Sequence, residues 1–205
     1  MQFPIICLIT SGEGRRAAPG LIREAASAGI NLVQIREPLL QGGALVTYVR
    51  DAIDEAVGTS CSVLVNDRVD VAIAANAAGV HLRSDSVPAR RVRSVAPAGF
   101  LVGRSVHDAA EAAAISDAGG CDYLIFGTVF PSRSKPAGHP AAGVQKLADV
   151  CRATTLPVIA VGGISLENAA DVIAAGASGI AAIDLFRRDG PLSSTVSRLR
   201  QRFDT

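Results

Sequence analysis

The amino-acid sequence predicts an α/β protein, a single (β/α)8 barrel that spans residues 1–205 as one domain. Short apolar segments alternate with amphipathic or alanine-rich segments roughly every 20–30 residues, as expected for strands and helices around a parallel sheet. Hydrophobic residues make up 49% of the chain and aromatic residues only 4%, a composition typical of parallel strands covered on both faces. About eight such units without a linker in 205 residues indicate one barrel.

The clearest unit runs from Leu156 to Phe186. It predicts a strand at 157–161, a turn at Gly162-Gly163, a helix at 169–175 with Ser165 as its N-cap, and a second strand at 179–185. A glycine turn offers backbone N–H groups to an anion, and the loops after strands seven and eight of a barrel are the usual phosphate site. The alternative is that these glycines only make tight turns.

The other elements follow in the same alternation. The predicted strands are 5–9, 31–35, 61–65, 80–82, 101–103 and 123–127, and the predicted helices are 21–28, 44–57, 69–76, 88–95, 108–118, 143–152 and 192–202. We expect the arginines of helix 88–95 to form a solvated face. The segment from Thr128 to Ala142 contains three prolines and predicts a longer loop, a candidate lid. A doubly wound open sheet is the alternative fold, but no G-x-G-x-x-G opens a helix.

Composition limits the partners. The chain has 20 Lys plus Arg against 19 Asp plus Glu, so no global field would attract nucleic acid or an acidic membrane. The four cysteines form no C-x-x-C pair, which argues against a zinc or redox motif. We find neither a signal-peptide pattern nor an apolar run that could span a bilayer, and expect a soluble cytoplasmic protein. The apolar faces of the outer helices leave a homodimer open.

Polar residues concentrate at the predicted strand ends, which share one rim in a barrel. The residues expected there are Gln34, Arg36, Asn66, Asp67, Arg83, Asp85, Ser105, His107, Thr128, Gly163 and Asp184. Arg36 and Lys135 suit phosphate oxygens, and Asp67 is a hard oxygen ligand of the kind Mg²⁺ accepts alongside waters and a substrate phosphate. The pattern predicts a Mg²⁺-diphosphate site. The structural alternatives are that Arg36 pairs with a carboxylate, Asp67 caps the next helix, and Lys135 lies in solvent.

The three histidines do not form an obvious catalytic pair. His81 belongs to a predicted strand and is expected to point into the core, His107 immediately precedes a helix, and His139 lies in the candidate lid. None of the three therefore has a clear catalytic partner.

Five segments in order resemble the thiamine-phosphate synthase and thiazole tautomerase family. They are VQIRE (33–37), LVNDRVDVAIAANAAGVHL (64–82), GRSVH (103–107), DYLIFGTVFPSRSKPAG (122–138) and PVIAVGGISLENAADVIAAGASGIA (157–181). The resemblance implies a (β/α)8 barrel. Its synthase branch joins an aminopyrimidine methyl diphosphate to a thiazole phosphate, releases pyrophosphate and uses Mg²⁺.

The resemblance also implies roles for individual residues. Gln34 would contact the pyrimidine, and Asp67 would bind the metal. The diphosphate would be held by Arg36, Asn66, Ser105 and Lys135. The thiazole phosphate would be received by Ser132, Arg133, Ser134 and Lys135 with Gly162, Gly163 and the backbone at Ile183, and Thr128 and Asp184 complete the expected substrate site.

The chain departs from the synthase pattern at three places. Pro38 stands where Q-x-R-x-K has its lysine, so one diphosphate cation is missing. The G-Q-x-D motif reads Arg83-Ser84-Asp85-Ser86, so its carboxylate is displaced by one residue. Asp184 stands where a serine usually lies near phosphate. We hypothesise that Arg83 replaces the charge of the lost lysine.

Two other functions stay open. The tautomerase branch isomerises a thiazole carboxylate phosphate without Mg²⁺, shares the G-R-S-V-H sequence, and uses a histidine where this chain has Thr128, a poor proton shuttle at neutral pH. A non-catalytic protein that binds thiamine phosphate or a thiazole phosphate would also explain the three departures. A sugar-phosphate enzyme using a Schiff base is disfavoured, because Lys146, the only other lysine, lies on a predicted helix.

Overall fold

A computed structural model describes residues 4–10, 20–132, 136, 138–186 and 190–203. Eight parallel strands form a closed barrel in chain order, and β8 pairs with β1. The strands are β1 Ile5–Ile9, β2 Leu32–Ile35, β3 Ser62–Asn66, β4 Gly79–Leu82, β5 Leu101–Val106, β6 Tyr123–Gly127, β7 Val158–Val161 and β8 Gly179–Ala182. The predicted (β/α)8 barrel is confirmed.

A helix follows every strand on the outside of the barrel. The helices are α1 Leu21–Ser27, α2 Gly42–Ala56, α3 Val69–Ala74, α4 Ala89–Arg93, α5 Ala109–Ala118, α6 Gly143–Arg152, α7 Ala169–Ala174 and α8 Leu192–Phe203, with a short 3-10 helix at Asp184–Phe186 between β8 and α8. None of the described helices has the length and apolar character needed to cross a membrane.

The unit containing the glycine turn differs in detail from the prediction. Asn168, not Ser165, is the N-cap of α7. The Asn168 Oδ1 accepts a hydrogen bond from the Ser165 N–H at 2.8 Å, and the Ser165 Oγ accepts one from the Glu167 N–H at 3.2 Å. These bonds build a turn before the helix and so delay its start. Strand β8 also ends at Ala182 rather than continuing to residue 185.

The sequence predicts that the arginines of α4 form a solvated face, but the structure shows that not all of them do. Arg90 and Arg91 are exposed, but Arg93 donates to the backbone carbonyl of Gly120 at 2.8 Å and also to the Phe100 carbonyl and the Asp122 carboxylate. The prediction was wrong for Arg93, because its partners lie in loops that the helix approaches only in the folded barrel. The guanidinium joins α4 to the beginnings of β5 and β6.

The hydrophobic core has two layers. The larger layer lies between the strands and the helices, and a smaller one fills the inside of the barrel. The inner layer consists of Ile5, Cys7, Ile9, Leu32, Leu64, Tyr123, Ile125, Ile159 and Ala181. Because successive side chains of a strand point to opposite faces, each strand contributes alternate residues to each layer. Small aliphatic side chains fill both layers, which explains the low aromatic content.

The inner layer contains a polar pair, His81 and Tyr123. His81 is 2% exposed, and its Nδ1 lies 3.2 Å from the Tyr123 hydroxyl. Gly103 makes room for this arrangement, because a Cβ there would lie 2.1 Å from Cζ of Tyr123. His81 points into the core as expected from the sequence, and burial lowers the pKa of its imidazole from 6.5 to about 3.

The buried, neutral His81 predicts a loss of stability in acid. Below about pH 6.5 the unfolded chain binds a proton at this histidine and the folded chain does not. The free energy of unfolding should therefore fall as the pH decreases toward about 3, by up to roughly 1.4 kcal/mol per pH unit from this group. Urea unfolding of the wild type and of His81→Gln, measured from about pH 7 to about pH 4, should show the stability difference shrinking in acid.

The carboxyl groups are the same in the wild type and in His81→Gln, so their contribution to the pH dependence cancels when the two free energies of unfolding are subtracted. His139→Gln, which removes an exposed histidine, should give a curve parallel to the wild type. A wild-type minus His81→Gln difference that is independent of pH would contradict the assignment.

Candidate functional site

A cavity of about 740 Å³ opens at the C-terminal end of the barrel. It is lined by strand ends and by the loops that follow them. The predicted site residues in its wall are Gln34, Arg36, Asn66, Asp67, Arg83, Ser105, Thr128, Gly162 and Ile183. The structure thus brings together residues that are up to 149 positions apart in the chain, from Gln34 to Ile183.

Four predicted residues that the structure describes are not in the cavity wall. They are Asp85, Ser132, Gly163 and Asp184, and Asp184 is exposed at the start of the 3-10 helix. The predicted residues Arg133, Ser134 and Lys135 lie outside the described residues. Their proposed contacts with phosphate therefore stay predictions.

The glycine turn after β7 has the backbone geometry that its sequence predicts. Gly162 has a φ of 100° and Gly163 a φ of 62°. A Cβ at Gly163 would lie 2.4 Å from the carbonyl oxygen of Pro131, so the glycine also permits close packing of the loop after β6. Within the described part of the chain, the backbone N–H groups of Gly163 and Ile183 donate no hydrogen bond. The turn and the end of β8 therefore retain donors for an anion.

Gln34 and Asn66 form a hydrogen-bonded pair in the cavity wall. The Gln34 Nε2 donates to the Asn66 Oδ1 at 2.9 Å. The Gln34 Oε1 is buried and accepts no hydrogen bond from the described residues. A buried acceptor without a donor is unfavourable unless a ligand supplies one. The pair therefore presents a fixed acceptor that suits an N–H group of a bound heterocycle.

Asp67 lies at the rim and is held by the loop after β4. It has a φ of 61°, its Oδ1 accepts a hydrogen bond from the Ser86 hydroxyl, and its Oδ2 is 3.8 Å from an Arg83 nitrogen. Asp67 does not cap α3, whose N-cap is Arg68 and which has no side-chain capping hydrogen bond. Its side chain is 30% exposed and so remains open to the cavity.

The displaced carboxylate Asp85 does not join Asp67. It forms a 2.5 Å ion pair with Arg83, and both side chains are largely exposed. Ser86, which occupies the motif's carboxylate position, contacts Asp67 instead. The loop thus places one cation, rather than a second anion, beside Asp67.

Arg104 is a functional scaffold residue that sequence reasoning missed. It is only 9% exposed and donates to the backbone carbonyls of Ser84 at 2.6 Å, Ser86 at 2.9 Å and Val87 at 2.9 Å. These bonds fix the loop that carries Arg83 and Ser86. The sequence feature that could have indicated this role is an arginine within an apolar strand, beside the inward-facing Ser105.

The two histidines in the cavity wall already have partners. The His81 Nε2 lies 2.9 Å from the Ser105 Oγ. The His107 Nδ1 lies 3.3 Å from the Glu111 Oε2, and the backbone N–H of His107 donates to that same oxygen at 2.8 Å. His81 is thus held between two hydroxyl groups, and His107 is held by the carboxylate of Glu111.

The donor set at the rim suits Mg²⁺ bound mainly through a ligand. The described residues contain no group of three or more His, Cys, Asp or Glu side chains that could hold a metal. The protein offers the Asp67 carboxylate with neutral oxygens of Asn66 and Ser86 nearby. Mg²⁺ commonly binds through one or two carboxylates together with waters and substrate phosphates.

Comparison with known proteins agrees with this arrangement. The family model for thiamine monophosphate synthase matches residues 6–186. The chain is 38% identical over 193 residues to a thiamine-phosphate synthase from Methanoculleus marisnigri, covering 94% of this chain and 90% of the relative. A thiamine-phosphate synthase from Methanocella arvoryzae is 35% identical, with 89% and 86% covered.

Solved structures give the same relationship. A thiamine phosphate pyrophosphorylase from Pyrococcus furiosus superimposes with a TM-score of 0.84 at 27% identity, covering 98% of this chain and 95% of that one. A 3-hexulose-6-phosphate synthase, with a TM-score of 0.74 at 13% identity and coverage of 97% and 99%, shares the fold alone. The match over most of the chain, in a barrel whose strand ends carry Gln34, Asn66 and Asp67, shows that this protein belongs to the thiamine monophosphate synthase family.

Proposed function

We propose that this protein is a thiamine-phosphate synthase that joins an aminopyrimidine methyl diphosphate to a thiazole phosphate and releases pyrophosphate. The observation that carries the proposal is the Gln34–Asn66 pair, with its buried acceptor, beside Asp67 at a rim that also holds three arginines, Arg36, Arg68 and Arg83. One heterocycle and one diphosphate are the ligand chemistry that this wall suits.

The reaction needs charge stabilisation more than proton transfer. The bond between the methylene carbon and the diphosphate oxygen breaks, and its electron pair leaves with pyrophosphate. The thiazole nitrogen then supplies the electron pair for the new carbon–nitrogen bond. Fixed cations and hydrogen-bond donors around the departing oxygens lower the barrier. Mg²⁺, when bound, neutralises charge on the diphosphate.

Each part of the wall has a role in this proposal. The Gln34 Oε1 accepts a hydrogen bond from the pyrimidine amino group. Arg36 and Asn66 hold diphosphate oxygens together with Ser105 and Lys135, and Asp67 binds Mg²⁺. Gly162, Gly163 and Ile183, with the segment 132–135, receive the thiazole phosphate, and Thr128 contributes to the substrate site.

Arg83 compensates for the cation lost at Pro38. Arg83 lines the cavity, one of its guanidinium nitrogens lies 3.8 Å from the Asp67 carboxylate, and the residue extends from a loop held by Arg104. Asp184 does not repel the thiazole phosphate strongly, because it is exposed and outside the cavity wall. These positions account for two of the departures from the synthase pattern.

A tautomerase is the second candidate, and Thr128 is the residue on which it depends. Thr128 is buried in the cavity wall, but its hydroxyl is a poor proton shuttle. His81 has a strongly lowered pKa because of burial, and its ring already contacts Ser105. The synthase therefore fits the site better. A non-catalytic binder, localisation in the cytoplasm, a single domain and a homodimer stay predictions from the sequence.

Asp67→Asn tests the metal and the reaction together. With aminopyrimidine methyl diphosphate, thiazole phosphate, thiazole carboxylate phosphate and Mg²⁺, the wild type should release pyrophosphate, and the variant should lose at least about 100-fold in kcat/KM because the anionic ligand is gone. Pyrophosphate release and thiazole isomerisation are measured in the same reaction, with and without Mg²⁺.

Asp117→Asn is the matched control. It neutralises an exposed carboxylate on α5 outside the cavity wall, and it should retain wild-type turnover. Isomerisation without pyrophosphate release would assign the protein to the tautomerase branch. If neither pyrophosphate release nor isomerisation is detected, the result would contradict the synthase and favour a non-catalytic binder.

Arg83→Ala tests the replacement of the missing lysine. Removal of this cation should raise KM for the diphosphate substrate about tenfold, since charged hydrogen bonds contribute roughly 1.5–3 kcal/mol. Arg83→Lys should recover part of the loss, because a positive charge remains. Steady-state kinetics with varied diphosphate substrate measures the effect.

Arg90→Ala, which removes an exposed arginine of α4 outside the cavity wall, is the control and should behave as wild type. An unchanged KM in Arg83→Ala would show that Arg83 does not contribute to diphosphate binding.

A further inference from the structure

A hydrogen-bonded chain crosses the inside of the barrel and ends at the cavity. It consists of Tyr123, His81 and Ser105. The Tyr123 hydroxyl lies 3.2 Å from Nδ1 of His81, and Nε2 of His81 lies 2.9 Å from Oγ of Ser105. Tyr123 is 1% exposed and His81 2% exposed, whereas Ser105 is partly exposed in the cavity wall. Only one end of the chain can meet a ligand.

The buried end fixes the direction of these hydrogen bonds. A neutral imidazole has one N–H donor and one acceptor nitrogen, and burial keeps the ring neutral. In the part of the chain that the structure describes, Nδ1 of His81 is the only partner of the Tyr123 hydroxyl. If Nδ1 carried the hydrogen, Tyr123 would accept that bond and its own hydrogen would be buried without an acceptor, which is unfavourable.

The hydrogen of Tyr123 is therefore donated to Nδ1, and the ring hydrogen is on Nε2. The Nε2–H then donates to the oxygen of Ser105. The hydroxyl hydrogen of Ser105 cannot point back toward His81, because that direction is occupied by a donor. It is directed to the cavity.

We propose that Tyr123 and His81 are positioning residues that make Ser105 an obligate hydrogen-bond donor to an anionic ligand oxygen. The identity of that ligand as a diphosphate rests on the proposed function. The opposite direction would turn a lone pair of Ser105 toward the anion and weaken its binding. Gly103 is part of the same arrangement, because only a residue without a Cβ leaves space for the Tyr123 ring.

The first test reads the ring hydrogen directly, without turnover. The chain has three histidines, so ¹⁵N-histidine labelling gives few signals, and His107→Gln and His139→Gln assign those of His81 by elimination. In the ligand-free wild type, Nε2 of His81 should show a pyrrole-type shift and Nδ1 a pyridine-type shift. In Tyr123→Phe the two shifts should move toward each other, because Nδ1 loses its donor. A pyrrole-type shift at Nδ1 of the wild type overturns the proposal.

The second test asks whether Tyr123 acts through Ser105. The probe is inorganic pyrophosphate with Mg²⁺, and calorimetry gives its dissociation constant. Ser105→Ala should raise that constant about tenfold, and Tyr123→Phe should raise it several-fold. The double variant should match Ser105→Ala alone, because the tyrosine has no further route to the ligand. Additive effects overturn the proposal.

Tyr48→Phe is the matched control, since Tyr48 is buried on α2 outside the cavity wall, and it should bind pyrophosphate as wild type. The two proposals fail differently. If the wild type couples the two substrates but the Tyr123 and Ser105 effects are additive, only this inference fails. If the shifts and the double variant are as expected but no coupling occurs, only the proposed function fails. A wild type that binds no pyrophosphate overturns both.

Discussion

Closure of the eight-stranded sheet is the constraint on which the rest of the structure depends. Because β8 pairs with β1, every strand has the same two environments, and alternate side chains face the inside of the barrel. In β2 this alternation places Leu32 in the inner layer and Gln34 at the cavity, and residue 36 follows with the same orientation beyond the strand. The packed interior and the site are therefore formed by successive inward-facing residues of the same strands.

That pattern explains how much of the site could be predicted from the sequence. Gln34, Asn66 and Ser105 could be placed at the rim because each is the last or the next-to-last residue of a short strand, and the closed barrel brings such ends together. The turn at Gly162 could also be predicted, since its φ of 100° is a conformation that favours glycine. The order and type of the elements follow from the same alternation of short apolar and helical segments.

The remaining features depend on contacts that no local pattern encodes. The start of α7 is delayed by the bond between Asn168 and Ser165, although Ser165 is a good N-cap by residue type. Arg104 reaches carbonyls 17 to 20 residues away, and the sequence does not show that these lie within its reach. The Ser86–Asp67 bond joins the loops after β3 and β4, so it depends on the pairing of these two strands.

The departures from the synthase pattern make physical sense when their charges are considered together. Pro38 removes a cation from the loop after β2, and Ser86 removes an anion from the loop after β4, so the summed charge of the two loops is unchanged by this pair. Arg83 adds a cation in the cavity wall, and Asp85 pairs with it on the outer side. Asp67 is left as the carboxylate with a cation 3.8 Å away rather than a second anion beside it. One carboxylate with a cation nearby gives this part of the wall a less negative charge than two adjacent carboxylates would.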